Sequence, residues 1–236
     1  NQMVFESLLP FAFFLVGLFL WVKFVHKQTL KSLTTSRNKI DWKRISFGFL
    51  LISIFTIVVT LIDYNTNPEG YIYNFVADKF LVLLLIAIIL IPIQTSFEEY
   101  FFRGYLMQGL GLTFKNRWVP FLVTSIMFGI MHLGNPEVGK LGPIIMVYYI
   151  GTGLFLGLIT LMDEGMELAL GFHAGNNLIG ILLVTANWTA FQSDSILKDV
   201  AEPEAGLDIL LPVVIVYPIF TLIMAKVYKW KNWKEK

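Results

Sequence analysis

The sequence contains no cysteine, few charged residues and only three histidines, and each shortage narrows what the protein can do. Without cysteine there can be no disulfide, no thiolate metal ligand and no cysteine nucleophile. Charged residues make up 15% of the 236 residues, whereas an ordinary soluble domain carries about 25%. The formal net charge is only +1, so nothing in the composition indicates binding to nucleic acid.

Hydrophobic residues are correspondingly abundant, at 56% of the chain, and they fall in long runs with almost no charge. Such runs predict an all-α membrane protein, a bundle of about seven transmembrane helices. The polar residues within these runs, described below, are what predict a catalytic cavity between core helices. The first run lacks a basic segment before it and a cleavage site after it, so we interpret it as a retained span. The predicted spans are 8–24, 45–62, 80–96 continuing into 97–111, 118–133, 142–161, 168–187 and 208–226.

The spans divide the chain into three predicted segments. Residues 1–79 hold two N-terminal transmembrane helices and a basic loop, and residues 80–187 form a catalytic core of about four transmembrane helices. Residues 188–236 comprise an external loop, the last transmembrane helix and a basic tail.

The distribution of basic residues predicts the orientation in the membrane. Lysine and arginine are concentrated in residues 23–44, 115–117 and 226–236, whereas residues 63–79 and 187–208 are mainly acidic. Cytoplasmic loops carry the excess of lysine and arginine. We therefore expect a multi-pass protein of the cell membrane with its N-terminus outside and its C-terminus in the cytoplasm. Tryptophans near the span ends, Trp21, Trp188, Trp230 and Trp233, fit the membrane interfaces.

The segment Phe97–Arg103 carries two adjacent carboxylates and an arginine directly after an apolar run. Each such charge costs about 2.5–3.5 kcal/mol at the centre of a membrane helix, so its presence requires a reason. Glu99 and Arg103 are four residues apart and therefore predict an ion pair within one helix. Glu98 points away from Glu99 and is the freer carboxylate, which makes it the predicted catalytic base.

Two of the three histidines also lie within or at the edge of apolar spans. His132 follows Phe128 by one helical turn, and His173 precedes Asn177 by one turn, so each pair shares a helix face. A histidine beside an asparagine amide can supply the donors that stabilise an oxyanion. The alternative is a set of hydrogen bonds between packed helices, but packing usually employs Ser, Thr or Asn rather than several titratable groups.

Other hydrolytic motifs are absent from the sequence. It has no His-Glu-x-x-His zinc motif and no Gly-x-Ser-x-Gly elbow. The pair Gly151-Thr-Gly153 is followed by leucine rather than aspartate, so it does not support an aspartyl protease. We expect these glycines to ease helix packing instead.

Three motifs in order resemble those of the CAAX protease and bacteriocin-processing family of intramembrane proteases (CPBP, or Abi). They are Glu98-Glu99-x-x-x-Arg103, Phe128-x-x-x-His132 and His173-x-x-x-Asn177. The resemblance includes Phe102-Arg103-Gly104, His132-Leu-Gly-Asn-Pro136 and Gly171, and it covers about residues 97–177. Asn176 stands where many members of the family carry tryptophan.

The resemblance implies a hydrolase, an endopeptidase whose partners are the lipid bilayer and a peptide or membrane-protein substrate. It assigns water activation to Glu98, water binding to His132, and polarisation of the scissile carbonyl to His173 with Asn177. Glu99 and Arg103 would support the site.

The cofactor is left open by the sequence. Family members are commonly labelled metalloproteases, and Glu98, His132 and His173 would then hold a zinc ion with water as the fourth ligand. A metal-free mechanism uses the same residues, and we favour it because Asn177 would do part of the work of a Lewis acid.

Two functions of other classes compete with proteolysis. The first is a non-catalytic bacteriocin-immunity or scaffold protein with the same fold. The second is a proton-coupled transporter that uses the buried glutamate and histidines as a relay. An inverted repeat would favour transport, and the sequence shows none.

Overall fold

A computed structural model describes residues 1–203 and 205–231, and most of these residues are helical. Trp233 and the last lysines of the predicted basic tail lie outside the described residues. The α-helices are α1 Gln2–Phe24, α2 Leu30–Thr34, α3 Trp42–Thr66, α4 Ala77–Glu99, α5 Met107–Phe114, α6 Trp118–Ile130, α7 Pro136–Leu141, α8 Ile145–Asp163, α9 Glu167–Leu183 and α10 Tyr217–Val227. π-Helical turns occupy Tyr100–Leu106 and Pro212–Val216, and short 3₁₀ helices occupy Pro68–Gly70 and Leu207–Leu210. The strands are β1 Tyr71–Tyr73, β2 Val184–Ala186 and β3 Leu197–Asp199.

Four helices of the described chain are long and apolar enough to cross a membrane: Gln2–Phe24, Trp42–Thr66, Ala77–Phe114 and Ile145–Asp163. The protein is thus a helical membrane protein, as predicted. Each of the other predicted spans contains a helix, but these helices are shorter. Helix α6 has 13 residues, about 20 Å at 1.5 Å per residue, against a hydrocarbon core of about 30 Å. The bundle of about seven transmembrane helices therefore stays a prediction.

The described chain divides into two compact units. The first comprises Asn1–Leu30, Asp41–Glu98 and Leu170–Glu202, and the second comprises Lys31–Ile40, Glu99–Ala169 and the described part of Pro203–Lys236. The division passes between Glu98 and Glu99, so the two adjacent carboxylates belong to different units.

The core of the first unit is formed where α1, α4 and α9 pack together. Its buried residues are apolar: Val4, Leu8, Leu83, Ala87, Leu90, Ile91, Leu178 and Ile181. Helix α9 also lies very close to α3. A Cβ atom on Gly171 would come within 1.9 Å of the Ile45 carbonyl oxygen, and one on Gly175 within 2.7 Å of the Phe49 carbonyl oxygen. Glycines one turn apart let two helix backbones approach in this way, and this contact fixes the helix that carries His173.

A small three-stranded sheet in the order β1-β3-β2 completes the first unit. Strand β3 pairs antiparallel with β1 and parallel with β2. The Tyr71 hydroxyl donates a hydrogen bond to Asp63 at the end of α3, and burial raises the pKa of Tyr71. The all-α prediction left out this sheet because strands of three residues are too short to show an alternating pattern.

The second unit depends on close contact between α6 and α8. A Cβ atom on Gly153 would lie 2.6 Å from the Ser125 carbonyl oxygen, and one on Gly129 would lie 2.4 Å from Ile150 Cγ1. A Cβ atom on Gly151 would lie 2.6 Å from Val213. The predicted packing role of Gly151 and Gly153 is therefore confirmed.

Arg37 connects two loops of the second unit that were both predicted to be cytoplasmic. Its guanidinium lies 2.9 Å from Asp163 Oδ2 and 3.1 Å from Glu167 Oε2. The backbone nitrogen of Met166 donates to the Thr34 carbonyl oxygen at 3.0 Å. The acidic α8–α9 loop thus has its buried carboxylates neutralised by an arginine of the basic loop.

Candidate active site

Helices α4 and α9 bring four polar side chains of the first unit together. Gln94 and Glu98 lie one turn apart on α4, and His173 and Asn177 lie one turn apart on α9, so each helix presents a pair on one face. The surroundings are apolar, since both helices contribute to the hydrophobic core of this unit. Buried polar groups need hydrogen-bond partners, and these four side chains contact one another.

Glu98 and His173 face each other. Glu98 Oε2 lies 3.5 Å from His173 Nε2, and the two side chains are only 14% and 6% exposed. No hydrogen bond from the described part of the chain reaches this carboxylate oxygen. The other oxygen, Oε1, accepts a hydrogen bond from Gln94 Nε2 at 2.6 Å. One oxygen of Glu98 is therefore fixed by an amide, and the other is directed at an imidazole.

A chain of three side-chain amides ends on Glu98. Asn176 Nδ2 donates to Asn177 Oδ1 at 3.0 Å, and Asn177 Nδ2 donates to Gln94 Oε1 at 3.3 Å. Gln94 then donates to the carboxylate, so all three amides are oriented in one direction. Successive hydrogen bonds of this kind polarise one another. The Asn177 amide nitrogen carries two hydrogens, and the second one takes no part in this series of hydrogen bonds.

Gln94 was missed by the sequence analysis, although a signal was present. It is a buried polar residue at the end of an apolar run, one turn before Glu98. The four-residue spacing from Gln94 to Glu98 is the same signal that predicted the Glu99–Arg103 pair.

Glu99 and Arg103 form a buried ion pair in the second unit. Arg103 Nη1 donates to Glu99 Oε1 at 3.0 Å, and Arg103 Nη2 donates to the Gly153 carbonyl oxygen at 3.2 Å. The guanidinium carbon lies 4.4 Å from the centre of the Phe128 ring, a cation–π contact. This arginine therefore joins the π-helical segment to α6 and α8.

His132 lies in the second unit, whereas the Glu98 group lies in the first. Its Nδ1 lies 2.8 Å from the Phe128 carbonyl oxygen, and because a carbonyl only accepts, Nδ1 is the donor. The imidazole is stacked on the Tyr149 ring at 4.4 Å, and the Tyr149 hydroxyl accepts from Asn135 at 3.3 Å. Nε2 is the remaining nitrogen for a water or a metal. Helix α6 ends before His132, so this residue lies in the turn after the helix and not on the predicted helix face. Tyr149 was not identified in the sequence, because its contact with His132 joins α8 to that turn.

The geometry does not favour a zinc site among the described residues. No group of three or more His, Asp or Glu side chains within residues 1–203 and 205–231 is arranged to hold a metal ion. The first unit supplies two suitable side chains, Glu98 and His173, whereas catalytic zinc usually has three protein ligands. We therefore derive no step through a metal.

Comparisons with known proteins identify the same region of the chain. Residues 77–179 match the family model described as type II CAAX prenyl endopeptidase Rce1-like. An uncharacterized Bacillus subtilis protein, YyaK, is 36% identical over 176 residues, which are 74% of this chain and 59% of that protein. An uncharacterized protein of Mycoplasma capricolum is 25% identical over 187 residues, 73% of this chain and 53% of that protein. The alignments thus span between half and three-fifths of these relatives, and no solved structure matches the chain.

The matched region contains all three motifs, from α4 to the middle of α9, and its several apolar helices are those of a multi-pass membrane protein. Over residues 77–179, 103 of its 236 residues, the chain is therefore similar to the type II CAAX prenyl endopeptidase Rce1-like family. This match supports the resemblance to the CPBP family of intramembrane proteases that the motifs predicted.

Proposed function

We propose that this protein is an intramembrane endopeptidase in which Glu98 activates the attacking water. The observation that carries the proposal is the buried group of Glu98, His173, Gln94 and Asn177, in which Glu98 Oε2 faces an imidazole at 3.5 Å. A carboxylate with one fixed oxygen and one oxygen directed at a polar group is suited to accept a proton from water. The substrate class is a peptide or protein held in or at the membrane.

In the proposed reaction, Glu98 takes a proton from water while the oxygen of that water attacks the carbonyl carbon of the scissile peptide bond. His173 and the unused hydrogen of the Asn177 amide stabilise the negative oxygen of the tetrahedral intermediate. The carbon–nitrogen bond then breaks, and Glu98 returns its proton to the leaving amine. Water is consumed, and a new carboxylate and a new amine are released.

Gln94 has a supporting part in this mechanism. Its amide fixes the Oε1 atom of Glu98 at 2.6 Å and so directs the Oε2 atom at His173. Its carbonyl oxygen accepts from Asn177, which orients that amide as well. We assign Glu99 and Arg103 to stability and leave water binding by His132 as the role that the resemblance implies.

The test compares wild type with Glu98→Gln, which keeps the shape of the side chain and removes its basicity. Purified protein is incubated with membranes from cells that lack it, and new peptide termini are identified by mass spectrometry. We expect wild type to release a defined set of termini that Glu98→Gln, folded to the same extent, does not release. The same termini from both proteins would contradict the proposal. A stable, correctly inserted wild type that releases none would favour the scaffold function.

The metal question needs a separate measurement. Elemental analysis of the active protein, followed by activity after exhaustive chelation, distinguishes the two mechanisms. We expect activity to survive chelation with no stoichiometric metal bound. If chelation abolishes activity and added zinc restores it, the metal-free form of the proposal is wrong. Glu98 would then have to be considered as a metal ligand.

A further inference from the structure

The second unit contains a cavity of about 870 Å³ that the proposed reaction does not use. Its walls come from three segments of this unit at or beside predicted cytoplasmic loops: residues 32–36, residues 115–118, and residues within 160–166. The last segment adjoins the loop between α8 and α9, which the alternation of the predicted spans also places in the cytoplasm. The C-terminal part of the 77–114 helix supplies the remaining wall, including Met107 and Gln108. By the predicted topology, this cavity lies at the cytoplasmic surface of the membrane.

The polar part of the cavity is basic. Lys115 and Arg117 stand on either side of Asn116 in the short turn between α5 and α6. Glu164 is the acid among the described lining residues. Arg103 also reaches the cavity, but its charge is balanced by Glu99. Two cationic side chains with an amide between them provide charge and hydrogen-bond donors for an anion.

The rest of the lining combines neutral polar side chains, among them Ser32, Thr35 and Gln108, with apolar ones, and the apolar part continues onto α6. Leu33, Met107, Leu161 and Met166 line the cavity, and Trp118 stands beside the basic turn. From Trp118 a row of exposed hydrophobic side chains follows one side of α6: Trp118, Leu122, Val123, Ile126, Met127 and Ile130. Residues at this spacing share a helix face. An apolar surface thus begins where the basic turn ends.

We propose that this cavity binds the phosphate-bearing headgroup of an anionic phospholipid, with the acyl chains along the exposed face of α6. Basic pockets between membrane helices at the cytoplasmic surface suit such headgroups. The Arg117 guanidinium lies 5.4 Å from the Trp118 ring, and tryptophan favours the headgroup level of the bilayer. The apolar face favours a lipid over an acidic peptide or free phosphate, since neither of these has a hydrocarbon chain to cover it. The proposal does not depend on proteolytic activity.

The test uses the full chain reconstituted in phosphatidylcholine vesicles with traces of spin-labelled phosphatidylglycerol or phosphatidylcholine. The immobilised fraction of each label, measured by electron paramagnetic resonance, gives the preference for the anionic lipid. We expect wild type to prefer phosphatidylglycerol. Lys115→Gln and Arg117→Gln should each lower this preference by about fivefold, the factor for one basic side chain near an anionic surface. Lys115→Arg and Arg117→Lys should retain most of it.

Lys229→Gln is the matched control. Lys115 and Lys229 both follow a helix in the left-handed conformation, with φ of 49° and 52°, and both lie on the predicted cytoplasmic side, but Lys229 does not line the cavity. The proposal is overturned if wild type shows no preference or if Lys229→Gln lowers it as much as Lys115→Gln. Displacement of the label by inorganic phosphate or by a soluble acidic peptide would assign the cavity to that ligand and overturn the lipid proposal.

Discussion

Gln94 is the residue whose proposed role depends most directly on contacts between side chains. It donates to Glu98 at 2.6 Å and accepts from Asn177 at 3.3 Å. Hydrogen bonds to charged groups contribute about 1.5–3 kcal/mol, so we expect Gln94→Leu to lower kcat by roughly 10–100-fold, with KM nearly unchanged. Gln94→Glu keeps the shape but replaces the donor by an acceptor beside a carboxylate, and we expect it to be at least as inactive.

Thr95→Val provides the control for these two variants. Thr95 is the next residue on α4, is also buried, and donates to backbone oxygens of its own helix, at Ile91 and Pro92. Thr95→Val should leave kcat within about threefold of wild type, because a hydrogen bond from a threonine hydroxyl to its own helix contributes little net free energy. If Gln94→Glu is as active as wild type, then the donor at Gln94 has no part in the reaction.

The two adjacent glutamates should respond in opposite ways to replacement. Glu99 is fully buried and paired with Arg103, so Glu99→Ala leaves a buried guanidinium without its carboxylate and should destabilise the fold by about 3–5 kcal/mol. Glu98 accepts a hydrogen bond from Gln94 and has no arginine partner among the described residues, so Glu98→Ala should cost about 1.5–3 kcal/mol, less than Glu99→Ala, while abolishing cleavage. Thermal unfolding in detergent measures the first effect, and cleavage measures the second.

The assignment of stability to Glu99 and catalysis to Glu98 would be contradicted if Glu98→Ala were the less stable variant and Glu99→Ala retained the wild-type stability. If Glu99→Ala unfolds at the wild-type temperature, the ion pair does not stabilise the protein. Arg103→Lys is a useful companion, because lysine keeps the charge but cannot bond Glu99 and the Gly153 carbonyl oxygen with the same fork geometry. We expect it to be intermediate in stability.

The ionisable residues of the three motifs could be predicted as site residues because such residues are unusual in apolar spans. Ionisable groups in apolar spans are few, so Glu98, His132 and His173 stand out from the composition alone. Gln94 and Tyr149 did not stand out, since a single glutamine or tyrosine in a membrane helix is ordinary. Their importance follows from contacts between separate segments of the chain, Gln94 with Asn177 and Tyr149 with His132, and a periodic pattern within one helix does not report such contacts.

The position of α9 against α3 depends on two glycines, and this can be tested by adding one methyl group. An alanine at Gly171 would bring its Cβ within 1.9 Å of the Ile45 carbonyl oxygen, which belongs to backbone and cannot move aside. We expect Gly171→Ala to destabilise the protein by more than about 2 kcal/mol and to reduce cleavage, because His173 lies two residues further along the helix. Thermal unfolding and cleavage measure the two effects.

Gly180→Ala is the control for this prediction on the same helix. A Cβ atom at Gly180 has no neighbour within 4 Å, so alanine should be neutral or stabilise the helix by up to about 1 kcal/mol. Equal destabilisation by both substitutions would show that the glycine content of α9, and not its approach to α3, determines the stability.

The helices were easier to predict from the sequence than the departures from regular helix. Long apolar runs located the long helices, but the short helices α2 and α7, the π-helical turn at Tyr100–Leu106 and the sheet had no periodic signal. The π turn lies between Glu99 and the end of the helix and contains Arg103, which contacts Gly153 and Phe128 on other helices. Such tertiary contacts, absent from a linear pattern, select the local backbone geometry.

For the molecule as a whole, strand and loop contacts agree with the predicted alternation of loops. Strand β1 lies in the predicted outer loop 63–79, and β3, its partner, lies in the predicted outer loop 187–208. In the second unit, residue Arg37 of one predicted cytoplasmic loop binds Asp163 and Glu167 at another. Loops paired by hydrogen bonds or ion pairs must lie on the same side of the membrane. These contacts group the loops by side, and the basic residues predict which side is the cytoplasm.

The absolute orientation can be measured directly because the chain has no cysteine of its own to interfere. Single cysteines replace exposed residues: Glu69 and Glu202 in the predicted outer loops, and Lys39 and Lys115 in the predicted cytoplasmic loops. A membrane-impermeant maleimide added to intact cells should label Glu69→Cys and Glu202→Cys, and should label Lys39→Cys and Lys115→Cys only after permeabilisation. The opposite pattern would invert the topology and move the basic cavity beside Lys115 to the outer surface. Labelling of one member of either pair alone would be incompatible with the loop contacts themselves. Glu69 and Glu202 lie within three residues of the paired strands β1 and β3, and Lys39 lies three residues beyond the cavity wall at residues 32–36 that Lys115 shares.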